Sequence, residues 1–200
     1  MTGPALFLAS ASATRAALLA RAGVAVTVDA AAIDEPEIKA SFRKTRGDVA
    51  GCAIKLAETK AICVARRRHD ALVIGAEQML ACDGNWFDKP GSLTEARSHL
   101  EALRGKTHEL VTAAVAVRGE QVLWRHLERP CLTMRDFSAD FIDDYLASVG
   151  DDVLTSVGAY QLEGLGVQLF AEVDGDFFSI LGLPLLPLLE FLRGRGVVTR

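Results

Sequence analysis

The sequence has few of the residues that build metal clusters or disulfide frameworks. It contains four cysteines, none of them in a CxxC pair, and four histidines scattered along 200 residues. Zinc sites need cysteine and histidine at short spacings, and disulfide scaffolds need paired cysteines in a small chain. We therefore expect reduced thiols that fill core space, as in a cytoplasmic protein, and no zinc centre.

No stretch of the chain is long and apolar enough to predict a membrane span. The most apolar stretch, residues 180–192, is interrupted by Pro184, Pro187 and Glu190. It is also shorter than the roughly 20 residues that a membrane-spanning helix needs. The start of the chain lacks the basic region that precedes the apolar run of a signal peptide. We therefore expect a cytoplasmic location and no membrane attachment.

Charge of neither sign dominates the sequence. The formal net charge is -4, with 24% charged and 50% hydrophobic residues. This composition is typical of a soluble globular protein and gives no support for binding to nucleic acid or anionic lipid. The length is sufficient for a sizeable core, and we expect one domain over residues 1–200.

Strand-like and helix-like segments alternate along the chain, which predicts an α/β domain with a mixed sheet. The predicted strands are residues 6–9, 24–28, 71–76, 110–117, 121–133 and 167–173. The predicted helices start at the capping residues Ser12, Ser92 and Ser138, at Asp48, and near Pro184. The helix from Ser92 has a predicted apolar face of Leu93, Ala96, Leu100 and Leu103.

Arg15 has an unfavourable position for a purely structural residue. It is the third residue of the helix that Ser12 caps, where the helix macrodipole disfavours a cation. The free N–H groups of a helix start attract anions, and the hydroxyls of Ser10 and Ser12 add donors. This pattern predicts a phosphate site. The alternative is a capped helix with a solvated arginine.

Lys60 lies on the apolar stripe of the helix that begins at Asp48, seven residues after Ala53. Burial of an ammonium is costly unless an anion meets it. The position therefore predicts a buried anion partner. The alternative is a side chain that extends along the helix surface to reach solvent.

Two acidic positions follow apolar segments. Asp34-Glu35 follows the apolar residues 30–33 and precedes Pro36, so we expect it at the end of a strand or of a loop. Glu77 follows the strand 71–76, so we expect it at a strand end, where the two sets of carboxylates are free to converge. Mg²⁺ usually takes one or two carboxylates together with substrate phosphates. Glu77 is thus predicted to be a metal ligand or a general base, and Lys89, beyond the hairpin turn at Asp83-Gly84, a phosphate contact. Taken alone, an acidic pair in a loop is usually a surface feature.

Several stretches, in this order and spacing, resemble the Maf-like nucleoside triphosphate pyrophosphatases. They are LASASATRAALL (8–19), IDE (33–35), LAETKA (56–61), VIGAEQML (73–80), DKP (88–90), LRGKTHELVTAAV (103–115), GAYQLEGLG (158–166) and GDFFSILGLPLLPLL (175–189). The resemblance implies a two-lobed α/β fold, with a twisted mixed sheet flanked by helices and a deep central cleft. It also implies hydrolysis of a nucleoside triphosphate to the monophosphate and pyrophosphate, with Mg²⁺ or Mn²⁺, in clearance of unwanted nucleotides.

The resemblance also assigns roles to individual residues. Residues that would hold phosphates or counter their charge are Ser10, Ser12, Arg15, Lys60 and Lys89. Glu35 would help to bind the metal, and Glu77 would be a proton acceptor or metal ligand. Gln78 and Glu163 look more like the branch that prefers 7-methyl-GTP than the branch acting on dTTP and UTP. We expect a nucleoside triphosphate as the partner, neither nucleic acid nor membrane, and a homodimer as one option.

The sequence departs from the family pattern at three places. Residues 12–15 read SATR where the family usually has SPRR, so one arginine is missing. Glu77 replaces the usual aspartate and is one methylene longer. Residues 155–158 and 162–164 read TSVG and LEG in place of DKAG and IQG. These departures leave open a nucleotide-binding regulator that has lost turnover.

A dinucleotide-binding oxidoreductase is a third hypothesis, and it has little support. Its only basis is the glycine-rich stretch at Gly164-Leu165-Gly166. The dinucleotide fingerprint must lie between a first strand and the following helix, and this stretch does not.

Overall fold

The computed structural model describes residues 5–45 and 47–199. The strands are β1 Leu6–Leu8, β2 Thr27–Val28, β3 Leu72–Cys82, β4 Asn85–Phe87, β5 Thr107–Arg118, β6 Gln121–Glu128, β7 Cys131–Met134 and β8 Phe170–Asp174. The helices are α1 Ala13–Arg21, α2 Glu35–Lys44, α3 Val49–Ala65, α4 Leu93–Leu103, α5 Ala139–Val149, α6 Phe177–Ile180 and α7 Leu185–Gly194. Short 3₁₀ helices cover Gly150–Thr155, Val157–Ala159 and Leu165–Leu169.

The strands form one mixed sheet. Its order is β2-β1-β3-β5-β7-β8, and β4 pairs with β3 while β6 pairs with β5. β1 pairs in parallel with β2 and with β3. The pairs β3–β4, β5–β6, β5–β7 and β7–β8 are antiparallel. The predicted α/β class with a mixed sheet is therefore confirmed.

The chain folds as two compact units. Unit 1 contains the described residues up to Glu77, residues 112–128, and those from Asp176 onward, and unit 2 contains residues 78–111 and 129–175. β3 and β5 contribute residues to both units.

The core of unit 1 joins β1 and β3 to α1 and α7. Leu8 and Ile74 from the strands pack in one cluster with Leu19 of α1 and Leu188 of α7, and all four are fully buried. Burial of a large aliphatic side chain stabilises the fold by about 1.5–3 kcal/mol. This cluster fixes the start of α1, and hence the residues around Ser12, against the sheet.

Gly75 allows α3 to approach β3 very closely. A Cβ at this position would lie 2.0 Å from the carbonyl oxygen of Ala57 and 2.9 Å from the nitrogen of Ala61. Glu77 lies two residues later on the strand, and residues so spaced share a face. Lys60 lies between the two alanines along the helix. The close contact at Gly75 therefore brings Lys60 next to Glu77.

The structure selects the loop over the strand before Asp34, and it shows that the predicted position of Glu77 at a strand end was wrong. Residues 30–33 form no strand, and Asp34 instead caps α2 by accepting a hydrogen bond from the Glu37 nitrogen at 2.9 Å. Glu35 is thus the first residue of a helix, with Pro36 in the first turn, where proline is favourable. β3 continues to Cys82, so Glu77 lies inside a strand and not at its end.

Other segment boundaries also differ from the predictions. The predicted strand 24–28 keeps only Thr27–Val28. The predicted strand 121–133 divides into β6 and β7 around Pro130, which has no N–H for the ladder. The predicted strand 167–173 starts at Phe170, because a 3₁₀ helix precedes it. Leu93 begins α4 and is 41% exposed, so it does not belong to the buried face of that helix.

Within residues 5–45 and 47–199, no helix combines the length and the apolar character needed to cross a membrane.

Candidate active site

Lys60 lies between two carboxylates in unit 1. Its Nζ is 2.5 Å from Oε2 of Glu77 and 2.7 Å from Oε1 of Glu35. Lys60 is 9% exposed and Glu77 is 7% exposed, whereas the Glu35 side chain is 38% exposed. The predicted anion partner of a buried Lys60 is therefore confirmed, and the alternative of a solvated lysine is wrong.

Three different elements supply this cluster. Lys60 comes from the inward face of α3, Glu77 from the middle of β3, and Glu35 from the first turn of α2. A carboxylate at the start of a helix is stabilised by the macrodipole. The two carboxylates thus converge as predicted, although one of them comes from a helix that the sequence did not predict.

Arg15 is buried and makes hydrogen bonds to the protein. Its Nε donates to the carbonyl oxygen of Gly182 at 2.7 Å. Its Nη1 donates to the carbonyl oxygen of Ala76 at 2.9 Å and to Oγ of Ser10 at 3.1 Å. The alternative of a solvated arginine is wrong. Arg15 connects the residue that precedes Glu77 to the turn that follows α6.

Charge near Arg15 compensates for its burial. Burial lowers the pKa of Arg15, and the negative charges of Glu77 and Glu35 oppose that effect. Arginine remains protonated at neutral pH in proteins. Arg15 therefore provides a fixed positive charge near the two carboxylates.

Ser10 and Ser12 organise the start of α1. Oγ of Ser12 accepts a hydrogen bond from the Arg15 nitrogen at 3.3 Å, which confirms the predicted N-cap. Oγ of Ser10 accepts from the Ser12 nitrogen at 3.2 Å. Both oxygens act as acceptors in these bonds, and each hydroxyl also carries a proton that it can donate. The geometry is compatible with a phosphate contact.

The environment of Glu77 keeps its carboxylate ionised. Burial alone would raise its pKa, but the positive charges of Lys60 and Arg15 and the hydrogen bond from Lys60 outweigh burial and lower the pKa. A carboxylate with a lowered pKa is a weak base at neutral pH. Both predicted roles of Glu77, metal ligand and general base, require this ionised form.

The donor set fits a cation that is shared with a substrate. Among the residues that the structure describes, no three His, Cys, Asp or Glu side chains come together as a metal cluster. Glu35 and Glu77 form a two-carboxylate set, and Mg²⁺ typically binds to one or two carboxylates plus substrate phosphates. The residues present therefore fit a divalent cation held jointly with a triphosphate.

The predicted site residues fall in both units. Unit 1 brings together Ser10, Ser12, Arg15, Glu35, Lys60 and Glu77. Unit 2 contains the others: Gln78, half-buried in β3, Lys89, exposed after β4, and Glu163, exposed after the 3₁₀ helix at Val157–Ala159. The roles of these three residues remain predictions.

The sequence reasoning missed Lys39. It lies on α2, four residues after Glu35, so the two residues share one face of that helix. Its positive charge contributes to the lowered pKa of Glu77. The sequence EPEIK places Glu35 and Lys39 four residues apart, which indicates a contact between them only if this segment is a helix.

The sequence reasoning also missed an ion-pair clamp at the end of α3. Asp29 accepts hydrogen bonds from Arg67 at 2.5 Å and from Arg68 at 3.1 Å, and Arg67 also donates to the carbonyl oxygen of Ala30. The hydrogen bond from Arg67 is the main cause of the lowered pKa of Asp29. The clamp ties the chain that leads to Glu35 back to the helix that carries Lys60.

The chain is similar to a family of known proteins and to individual members with related names. Residues 5–195 match the family described as Maf-like protein. A nucleoside triphosphate pyrophosphatase of Paramagnetospirillum magneticum is 56% identical over 189 residues, which cover 94% of this chain and 97% of that protein. A nucleoside triphosphate pyrophosphatase of Rhodospirillum rubrum is 52% identical, with 98% and 96% covered. A 7-methyl-GTP pyrophosphatase of Rhizobium meliloti is 49% identical, with 98% of each chain covered. The chain belongs to the Maf family.

Proposed function

We propose that this protein hydrolyses a nucleoside triphosphate to the nucleoside monophosphate and pyrophosphate. The observation that carries the proposal is the buried ion pair of Lys60 and Glu77, which the partly exposed Glu35 joins as a second carboxylate, beside the fixed charge of Arg15. Its similarity to proteins named nucleoside triphosphate pyrophosphatase supports the same activity. A buried ion pair of this kind is costly in a purely structural role.

The reaction is attack of water on the α-phosphorus. A bond forms between the water oxygen and the α-phosphorus, and the water loses a proton to the solvent. The bond from that phosphorus to the α,β-bridging oxygen breaks, and pyrophosphate leaves with the electron pair. Phosphoryl transfer depends mainly on positioning and on neutralisation of phosphate charge. Lys60 and Lys89 supply that charge, together with the field of Arg15.

A divalent cation, Mg²⁺ or Mn²⁺, would be held by Glu35 and Glu77. When bound, it supplies positive charge at the phosphates and lowers the pKa of a bound water. Glu77 remains ionised at neutral pH and is therefore ready to act as a ligand. Glu35 is more exposed and brings the second carboxylate from α2.

The start of α1 would bind a phosphate group. Free N–H groups at a helix start attract anions, and Ser10 and Ser12 lie there with protons to donate. The buried Arg15 adds positive charge near the start of α1, while its guanidinium keeps its hydrogen bonds to the carbonyl oxygens of Ala76 and Gly182.

The family resemblance assigns contacts with the nucleotide to Gln78 and Glu163, both of which belong to unit 2. A carboxylate suits a base that carries positive charge, and N7-methylation gives guanine such a charge. The exposed Glu163 therefore favours 7-methyl-GTP over GTP, in agreement with the name of the relative from Rhizobium meliloti.

A panel of nucleoside triphosphates tests the proposal. The panel contains 7-methyl-GTP, GTP, UTP and dTTP, each with Mg²⁺ or Mn²⁺ and with EDTA, and the products are separated by chromatography. We expect monophosphate and pyrophosphate from at least one nucleotide, and none with EDTA. Diphosphate and inorganic phosphate would refute the cleavage position. Nucleotide binding without products would favour the regulator hypothesis.

A further inference from the structure

A buried histidine–tyrosine pair in unit 2 anchors the loop that carries Glu163. We infer that His108 and Tyr160 are positioning residues, and that their contact sets how Glu163 in the 156–166 loop discriminates between bases. The inference rests on the proposed function and adds a specificity determinant to it.

The pair is almost completely buried. His108 is 2% exposed, Tyr160 is 4% exposed, and Nε2 of His108 lies 2.7 Å from the hydroxyl of Tyr160. Phe170 packs against both rings, with centroid separations of 4.8 Å to Tyr160 and 6.0 Å to His108. In the described part of the chain, Nδ1 of His108 has no hydrogen-bond partner. The hydrogen bond with the Tyr160 hydroxyl is therefore the polar contact that fixes the orientation of the His108 ring.

His108 belongs to a rigid element. It lies in β5 and is paired in register with Leu132 of β7, which is fully buried. A side chain fixed on a strand positions its partner more accurately than one on a loop. The hydroxyl of Tyr160 thus ties the loop to the sheet. The hydroxyl of Tyr145 adds a second tie, because it donates to the carbonyl oxygen of Ala159 at 3.2 Å.

The anchor is only three residues from Glu163. The chain is buried at Tyr160 and exposed at Glu163. Between them it closes a tight turn, in which the Gly164 nitrogen donates to the carbonyl oxygen of Gln161 at 3.2 Å. Gly166 packs back on the same residue, since a Cβ at Gly166 would lie 2.4 Å from that oxygen. The turn leaves little freedom between the anchor and the carboxylate.

A purely structural role would have a different consequence from a positioning role. If the pair only stabilised the fold, its loss would affect all nucleotides equally and regardless of the residue at 163. If the pair positions Glu163, its loss would affect the choice of base, and only while the carboxylate is present. Residues that act through one another show such non-additive effects.

The test is a double-mutant cycle between Tyr160→Phe and Glu163→Ala. The measured quantity is the ratio of kcat/KM for 7-methyl-GTP to kcat/KM for GTP, two substrates that differ by one methyl group and its charge. Tyr160→Phe keeps the ring and removes the hydroxyl. We expect it to lower the ratio about 5- to 10-fold, mainly through KM for 7-methyl-GTP, in the Glu163 background. In the Glu163→Ala background we expect no further change.

Control variants separate stability from positioning. Thr107→Val removes a hydroxyl that lies 2.8 Å from that of Thr133, one residue from His108 on β5, and should leave the ratio unchanged. The double variant His108→Leu/Tyr160→Phe removes both polar groups together, so it tests the same point if Tyr160→Phe alone unfolds. Hydrogen exchange over residues 156–166 should be faster in both Tyr160 variants.

The outcomes of the cycle are distinct. Equal losses in both backgrounds, or no loss in the Glu163 background, overturn the inference. A wild-type protein that hydrolyses 7-methyl-GTP and GTP with equal kcat/KM, or a Glu163→Ala variant with an unchanged ratio, also overturns it and leaves the proposed function intact. A wild-type protein that hydrolyses no triphosphate in the panel overturns the proposed function itself.

Discussion

Lys60 and Glu77 form a buried ion pair in which Nζ lies 2.5 Å from Oε2. The pair joins α3 to β3 near Gly75, where the absence of a side chain allows the helix and the strand to pack closely. Loss of one partner of a buried pair leaves the other charge uncompensated, which typically costs about 3–5 kcal/mol. The pair therefore affects both the stability of unit 1 and its chemistry.

Lys60→Met should reduce both stability and activity. The variant leaves Glu77 without its nearest cation, so we expect the free energy of unfolding to fall by about 3 kcal/mol in urea titrations. We also expect kcat/KM for a nucleoside triphosphate to fall roughly 10²-fold or more, because one phosphate-neutralising charge is lost. The double variant Lys60→Met/Glu77→Leu should recover stability but not activity. Wild-type kinetics in Lys60→Met would remove Lys60 from the site.

Glu77→Gln should abolish most of the cation-dependent reaction. Glutamine keeps the size of the side chain but lacks the charge, so we expect the rate with Mg²⁺ to fall by roughly 10³-fold. Glu35 remains next to Lys60, so the fold should persist in circular dichroism.

Glu77→Asp keeps the charge but shortens the side chain, which breaks the short contact with Lys60, and it should also lower the rate. A faster Glu77→Asp variant would show that glutamate impairs this protein.

Gly75→Ala should disturb the contact between α3 and β3. The new Cβ would overlap the backbone of Ala57, so we expect about 1–3 kcal/mol lower stability and a reduced kcat. Gly194→Ala in α7 is the matched control. A Cβ there meets nothing within 4 Å, and the variant should be neutral or slightly stabilising. Equal behaviour of the two variants would contradict the close packing at Gly75.

Much of the secondary structure could be predicted from the sequence because its signals are local. The predicted caps at Ser12, Ser92 and Ser138 each accept a backbone hydrogen bond at the start of a helix. A cap depends on a few neighbouring residues and is therefore readable in one sequence. In contrast, α2 has no fully buried residue, and its apolar face consists of only Ile38 and Phe42, which is too short a pattern to reveal the helix.

The candidate site was predictable only in part. The apolar stripe of α3 predicts that Lys60 is buried and needs an anion, but it does not identify the anion. That identity depends on the packing of α3 against β3. The partners of Arg15 are two carbonyl oxygens, at Ala76 and Gly182, and a backbone acceptor carries no signal in the side-chain sequence. These contacts follow from the tertiary fold and not from local pattern.

His108 should make the protein sensitive to mild acid. Burial lowers its pKa from an ordinary 6.5 to about 4. The unfolded chain therefore binds the proton first as the pH falls, so the free energy of unfolding should decrease from pH 6.5 to about pH 4. The total decrease from this residue is about 3 kcal/mol, and above pH 6.5 its contribution is constant.

Urea titrations at several pH values measure this effect. His108→Leu should give a smaller decrease between pH 6.5 and pH 4 than the wild-type protein, whatever its stability at pH 7. The exposed His69 is the matched control, and His69→Gln should follow the wild-type curve. An unchanged slope in His108→Leu would show that the histidine is not buried in its neutral form.

The position of the water oxygen in the products tests the central claim most directly. The hydrolysis of a nucleoside triphosphate is carried out in H₂¹⁸O with Mg²⁺, and the products are analysed by mass spectrometry. Attack on the α-phosphorus predicts ¹⁸O in the nucleoside monophosphate and unlabelled pyrophosphate. Label in the pyrophosphate, or nucleoside diphosphate and labelled inorganic phosphate as products, would contradict the proposed reaction.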